Sequence, residues 1–186
     1  MRRRIIKYIA NLATPIETTE GFARWELKNK ILRLSGLKIG KNVAISPGFQ
    51  CISGLEHNIT IDSYVAVGHN FKLYSFSPIK IGTFTTIAAD VSITNGGHDL
   101  STLEPFSGEV IIGRGCWIGH GARIIRPVTI GDNVIIAAGA IVTQDIPPGS
   151  IAVGIPAKVS KFRDLPKKVW FLGNNYFNPV DFKLIT

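Results

Sequence analysis

The chain of 186 residues carries only 2 cysteines and 1 methionine, too few for a disulfide framework or a cysteine-rich metal knuckle. Two lone thiols, Cys51 and Cys116, suit a reducing cytosol. No apolar run approaches the roughly 18 residues of a membrane-spanning helix. The opening MRRRIIKYIANLAT has basic residues but no adequate apolar core or cleavage site. Neither a membrane span nor a secretion leader is expected, and the predicted location is cytoplasmic. Acidic residues are also scarce, 13 against 21 Lys and Arg, giving a formal charge of +8. Such an excess favours nucleic acid, an anionic membrane surface or a phosphorylated ligand. No nucleic-acid module is present, and no stacking aromatics interleave with the basic residues, so no nucleic-acid partner is expected.

What the chain has instead is a period of six. An aliphatic residue stands at Ile112, Ile118, Ile124, Ile130, Ile136 and Val142. A helix repeats its apolar face every 3.6 residues and a strand every two, so a strict six belongs to a unit that turns corners. Hexapeptide repeats are the signature of a parallel β-helix. The next position is small in Gly113, Gly119, Gly131 and Ala137, with Ile125 and Thr143 as exceptions. The fifth is Cys116, Ala122, Val128, Val134, Ala140 and Ile146. Two inward residues per hexad describe a short strand and a tight corner, three hexads closing one triangular coil.

Upstream the same register reads in blocks: Ile39, Ile45, Cys51; Ile61, Val67, Leu73; Ile81, Ile87, Ile93. The blocks are separated by steps of 10, 8 and 19 residues, none a multiple of six, so each step predicts a loop thrown out of a corner. Residues 1–36 show no hexads. Ile5, Ile6, Ile9 and Leu12 have helical spacing up to Pro15. A second helix is expected, capped by Thr18 or Thr19, with Phe22, Trp25, Ile31, Leu32 and Leu34 as its buried stripe. It would cover the open coil end, which otherwise exposes unpaired backbone. The basic first segment offers an alternative, peripheral contact with an anionic membrane surface. The predicted organisation is a helical segment over 1–36, coils over 37–160 with a loop at 99–109, and a tail over 161–186 packed on the coils.

Three strings, SITNGGHD at 92–99, WIGHGARI at 117–124 and GAIVTQDIPPGSIAVGIPAKV at 139–159, resemble the hexapeptide-repeat acyltransferases. More narrowly, the chain resembles the sugar O-acetyltransferases of the maltose, galactoside, nodulation-factor and surface-polysaccharide type, over about residues 37–160. The resemblance implies an all-β, left-handed parallel β-helix, against the usual right-handed crossover. It also implies homotrimers with acetyl-coenzyme A bound between subunits and a small-molecule or glycan acceptor.

The chemistry implied needs a base, because an alcohol near neutral pH is a poor nucleophile. His98 matches the family's catalytic histidine, and Gly96 and Gly97 beside it would leave room for a substrate. The turn Gly119–His120 is the candidate oxyanion and acetyl-donor site. The resemblance assigns Trp117, Ala138, Gly139, Thr143, Lys158 and Lys161 to coenzyme A. Lysines at 158 and 161 replace frequent arginines, and Gln144 replaces a frequent lysine. His69, Tyr74, Asp99 and Phe106 are the acceptor-side candidates; Tyr74 stands where the family usually has an asparagine. Asp99 would orient His98 or cap a turn. Packing roles for Trp117 and His120 stay open. No metal is expected. The rivals are N-acetylation of an amino sugar nucleotide, a zinc enzyme resembling gamma-class carbonic anhydrases through His69, His98 and His120, and a nonenzymatic coil.

Overall fold

Every large residue of the sixfold ladder is buried, from Ile112 through Val142 and in the three upstream blocks. The fifth-position residues Cys116, Ala122, Val128, Val134, Ala140 and Ile146 are buried with them. A computed structural model describes residues 23–52, 55–171 and 175–185.

The backbone winds in coils of three short strands. The first coil is β1 (Lys38–Ile39), β2 (Ala44–Ile45) and β3 (Gln50–Cys51). The second is β4 (Ile59–Ile61), β5 (Ala66–Val67) and β6 (Lys72–Tyr74), and the third β7 (Ile79–Ile81), β8 (Thr86–Ile87) and β9 (Ser92–Thr94). A hairpin of β10 (Gly96–His98) and β11 (Pro105–Ser107) then interrupts the winding. It resumes with β12 (Val110–Ile112), β13 (Trp117–Ile118) and β14 (Arg123–Ile124), then β15 (Thr129–Ile130), β16 (Ile135–Ile136) and β17 (Ile141–Val142). The last turn ends in β18 (Ser150–Val153), against which β19 (Lys158–Phe162) folds back antiparallel. The coil unit therefore reaches Phe162, two residues past the expected boundary at 160.

Three parallel faces result. The first stacks β1, β4, β7, β12 and β15; the second β2, β5, β8, β13, β16 and β18; the third β3, β6, β9, β14 and β17. Each ladder residue sits on its equivalent in the next coil, as Ile39 on Ile61, Ile61 on Ile81, Ile81 on Ile112 and Ile112 on Ile130. The three irregular steps all fall on one edge of this prism, where the third face turns into the first.

Helix α1 (Ala23–Leu34) covers the open end of the first coil; of the expected apolar stripe Leu32 is buried and Ile31 packs partly buried against the core, but polar residues share that face. Leu34 is 75% exposed, whereas Lys28 and Asn29 are buried beside Leu32. Edge carbonyls with no preceding coil ask for donors, and α1 supplies them. Lys28 Nζ donates to Ile45 O and Ser46 O, Asn29 Nδ2 to Val43 O, and Arg33 to Ile39 O and Gly40 O. Thr18, Thr19, Phe22 and the basic first segment lie outside the described residues.

The tail forms a three-stranded antiparallel sheet of β20 (Val169–Phe171), β21 (Asn175–Phe177) and β22 (Leu184–Ile185). It docks on the edge between the first and second faces. Each coil turns that edge through a residue with positive φ: Asn42, Tyr64, Phe84, Gly115, Asn133 and Gly149. Tyr64 and Phe84 are unusual residues for a left-handed backbone. Their rings stack at 5.0 Å, and Phe177 of the tail stacks on Phe84 at 4.7 Å. Gly115 is required there, since a Cβ would lie 2.7 Å from Asn133 Oδ1 and 3.0 Å from the Phe182 ring. Asn133 Nδ2 in turn donates to Pro179 O of the tail. Among the described residues, no helix is long and apolar enough to cross a membrane.

Candidate active site

The longest interruption of the ladder carries His98. Residues 95–109 leave the third face, pair as an antiparallel hairpin with Gly97 opposite Phe106 and His98 opposite Pro105, and return to the first face. The His98 ring is exposed, and its Nδ1 lies 2.8 Å from the Leu103 carbonyl oxygen. A carbonyl only accepts, so this contact places the proton of the neutral ring on Nδ1 and leaves the Nε2 lone pair free.

Asp99 does not touch the ring. Its Oδ1 accepts from Ser101 N–H, Thr102 N–H and Thr102 Oγ1 and closes the turn that carries Leu103. Those backbone bonds hold the Asp99 carboxyl below the usual range, with Thr102 N–H the largest cause. Of the two roles expected for Asp99, turn closure is the one observed, and the ring is oriented by Leu103 O.

The glycine pair behaves differently from expectation. A Cβ on Gly96 would lie 2.8 Å from the Phe76 ring, and one on Gly97 3.1 Å from the Phe106 ring. The positions directly over these glycines are taken by two phenyl rings, and the room for a substrate lies between the rings. Asn95, fully buried, fastens the neighbouring excursion at 75–78: its Oδ1 accepts from Phe76 N–H at 2.8 Å and its Nδ2 donates to Ser77 O at 2.7 Å. A Ser77–Ser107 hydroxyl pair, 2.8 Å, ties the two excursions again. A cleft of about 500 Å³ opens between Phe76, Gly96, Gly97, His98 and Phe106. Sequence reading missed Phe76 and Asn95. The string SITNGGHD contained Asn95, but nothing in a period of six marks which polar residue turns inward.

The turn residues among the donor-side candidates occupy a different edge. Gly119 and His120 turn the chain from the second face to the third, and Ala138 and Gly139 make the same turn one coil later. Gly119 is fixed by packing, because a Cβ would lie 2.6 Å from Ala138 N. Its N–H donates to Ile136 O at 2.8 Å, so Gly119 has no free donor for an oxyanion, a correction to the sequence expectation. The His120 N–H makes no hydrogen bond within the described residues, and its Nε2 stands 3.8 Å from Asp90 Oδ2. Trp117 projects from the second face, 53% exposed. Thr143 follows β17 on the third face, while Lys158 and Lys161 lie exposed on β19.

Tyr74 ends β6 on the third face, near the His98 edge, and Phe106 lies in the hairpin itself. His69 turns the same edge as His120, two coils earlier. One chain thus places Asp99 and Phe106 in the His98 hairpin and Tyr74 opposite Thr94 on the strand beside it, and leaves His69, His120, Ala138 and Gly139 on another edge. Among the described residues, no three His, Cys, Asp or Glu side chains gather in one place. Cys116 is buried, and desolvation pushes its thiol up to about 12, which leaves it an inert core residue.

Residues 109–144 match the model of the bacterial transferase hexapeptide family, described as six repeats. A maltose O-acetyltransferase from Clostridium difficile 630 superposes with a TM-score of 0.71 at 30% identity, covering 87% of this chain and 86% of that one. The chain belongs to the hexapeptide-repeat acyltransferases, in their sugar O-acetyltransferase branch. A galactoside acetyltransferase in complex with coenzyme A aligns over 100% of this chain and 87% of its own, with a TM-score of 0.72 and 27% identity. An Escherichia coli K12 protein whose name places it as a colanic acid biosynthesis acetyltransferase, WcaF, is 32% identical over 72% of this chain and 73% of its own. The expected fold class, a left-handed parallel β-helix, is thereby established, as is an acetyltransferase activity of the sugar O-acetyltransferase kind.

Proposed function

We propose that this acetyltransferase moves the acetyl group of acetyl-coenzyme A to a hydroxyl of a sugar in a surface-polysaccharide precursor, with His98 as general base. The observation that carries the reading is the His98 Nδ1 contact to Leu103 O at 2.8 Å, which turns a free Nε2 lone pair outward. Nε2 takes the hydroxyl proton as the oxygen attacks the thioester carbonyl. Collapse of the tetrahedral intermediate breaks the C–S bond, and the imidazolium returns the proton to the departing thiolate. No acyl-enzyme is formed. The developing oxyanion meets the unspent His120 N–H; losing such a donor typically costs about 2.7–4 kcal/mol.

The donor lies along Trp117, Ala138, Gly139 and Thr143, with Lys158 and Lys161 toward its phosphates. Lysine offers a point charge rather than a bidentate fork, so phosphate contacts are weaker than with arginine. The base and the Ala138–Gly139 turn of this wall stand on different edges of one chain. A homotrimer in which His98 of one subunit faces the donor wall of its neighbour completes the site.

The test is coenzyme A release with a panel of sugars, sugar nucleotides and lipid-linked oligosaccharides. His98→Ala is expected to lower turnover at least roughly a hundredfold, the low end for a positioned general base, while acetyl-coenzyme A still binds. Near-normal turnover removes His98 from the mechanism. Acetylation confined to amino sugars reassigns the acceptor atom from oxygen to nitrogen.

A further inference from the structure

The cleft beside His98 has a chemistry that none of the sequence motifs announced. Its walls are two phenyl rings that meet the backbone at adjacent glycines, Phe76 over Gly96 and Phe106 over Gly97. The rings come from excursions of successive coils. They are fixed to each other by the buried Asn95 side chain, which accepts from Phe76 N–H, and by the Ser77–Ser107 hydroxyl pair. Phe76 nonetheless stays 52% exposed, a large apolar surface held rigidly in a recess. Exposed aromatic faces fixed in a concave site are binding surfaces more often than packing accidents.

We infer that Phe76 and Phe106 form an aromatic clamp for the C–H face of an uncharged pyranose, whose rim hydroxyl then reaches His98 Nε2. The inference rests on the proposed acetyl transfer for its orientation, but the binding it describes is separate from turnover. A pyranose presents a patch of ring hydrogens on one face and hydroxyls around its edge. Phe76 and Phe106 suit the face; His98 and the Ser107 hydroxyl suit the edge. The cleft lining contains no Lys, Arg, Asp or Glu. A carboxylate or phosphate on the reacting sugar would find no lysine or arginine in this chain's lining to replace the water it loses there. Arg126 stands over the Phe106 ring at 5.2 Å, and its charge adds a small favourable field at the Asp99 carboxylate. It stabilises the Phe106 wall from outside the lining rather than serving a bound anion.

Saturation-transfer NMR on the full chain, with methyl pyranosides and the corresponding methyl uronates as probes, tests this directly. A neutral pyranoside is expected to bind with saturation strongest on the ring hydrogens of one face. Phe76→Ala should weaken that binding by about tenfold, the effect of losing one aromatic contact, while Phe76→Tyr, which keeps the ring, should retain it. Because Phe76 is half exposed, circular dichroism of both variants should match the parent. Preferred binding of the uronate, undiminished binding by Phe76→Ala, or no pyranoside binding at all overturns the clamp. A pyranoside that binds through Phe76 but is never acetylated leaves the clamp standing and overturns the acetyl-transfer reading instead.

Discussion

Leu103 holds a φ of 57°, a left-handed conformation that costs a non-glycine residue about 1–3 kcal/mol, and it does so while its carbonyl orients His98. The Asp99 carboxylate offsets that strain through its three bonds to Ser101 and Thr102, and the Leu103 N–H closes onto Asp99 O at 2.9 Å. Asp99 is therefore a positioning residue. Asp99→Ala should open the turn and reduce kcat by about tenfold or more, as small misplacements of catalytic groups do, while KM for acetyl-coenzyme A stays unchanged. Asp99→Asn keeps an oxygen for the same N–H groups and should recover most of kcat. Steady-state kinetics of the two variants decide it; equal losses would assign the effect to the charge rather than the turn. Asn95 acts at the same scale. Asn95→Ala leaves the part-buried Phe76 N–H without its partner and should cost about 1–3 kcal/mol of stability, read by denaturant unfolding.

Helix α1 shows why an end cap is harder to read than a coil. The expected stripe counted apolar residues alone, and so ran through Leu34 and passed over Lys28 and Asn29. What decides the buried face is the chemistry of the edge below it: carbonyls at Ile39, Val43 and Ile45 call for donors, and the hexad period carries no information about them. Burial pushes Lys28 down to about 8 from 10.5. Between those pH values the unfolded chain keeps a proton that the folded chain has released, so stability rises with pH across the window from about 8 to 10.5. Below it the charged amine pays the full desolvation cost. Lys28→Met should flatten that rise relative to the parent in unfolding midpoints measured across the window. The tail was legible as packed, but not its seat. Tyr64 and Phe84 fall outside the inward register, and only the stacking of coils shows that they form a ladder completed by Phe177. Phe177→Ala should lower the protection of tail amides from hydrogen exchange while leaving the coil amides protected.

At the scale of the whole molecule, the period of six made the coils, faces and buried columns legible because each coil repeats the same packing problem. Blocks of three hexads already put the interruptions after Cys51, Leu73 and Ile93 at one corner, but they could not show which side chains those loops turn toward each other, nor that Gly119, His120, Ala138 and Gly139 line another edge. That separation gives the proposed trimer a consequence beyond its size. Two inactive variants, His98→Ala and Ala138→Trp, damage opposite sides of the site, the second by blocking the donor wall. Co-expressed in equal amounts, subunits that each lend one side to a neighbour should regenerate intact sites in roughly a quarter of positions, the random pairing of a sound His98 with a sound wall across an interface. Each variant alone should remain at background. Coenzyme A release by the purified mixture, compared with the parent at equal concentration, measures that fraction. Activity at background in mixed oligomers would place base and donor within one chain, and the two edges of the prism would then have to be bridged by the hairpin itself.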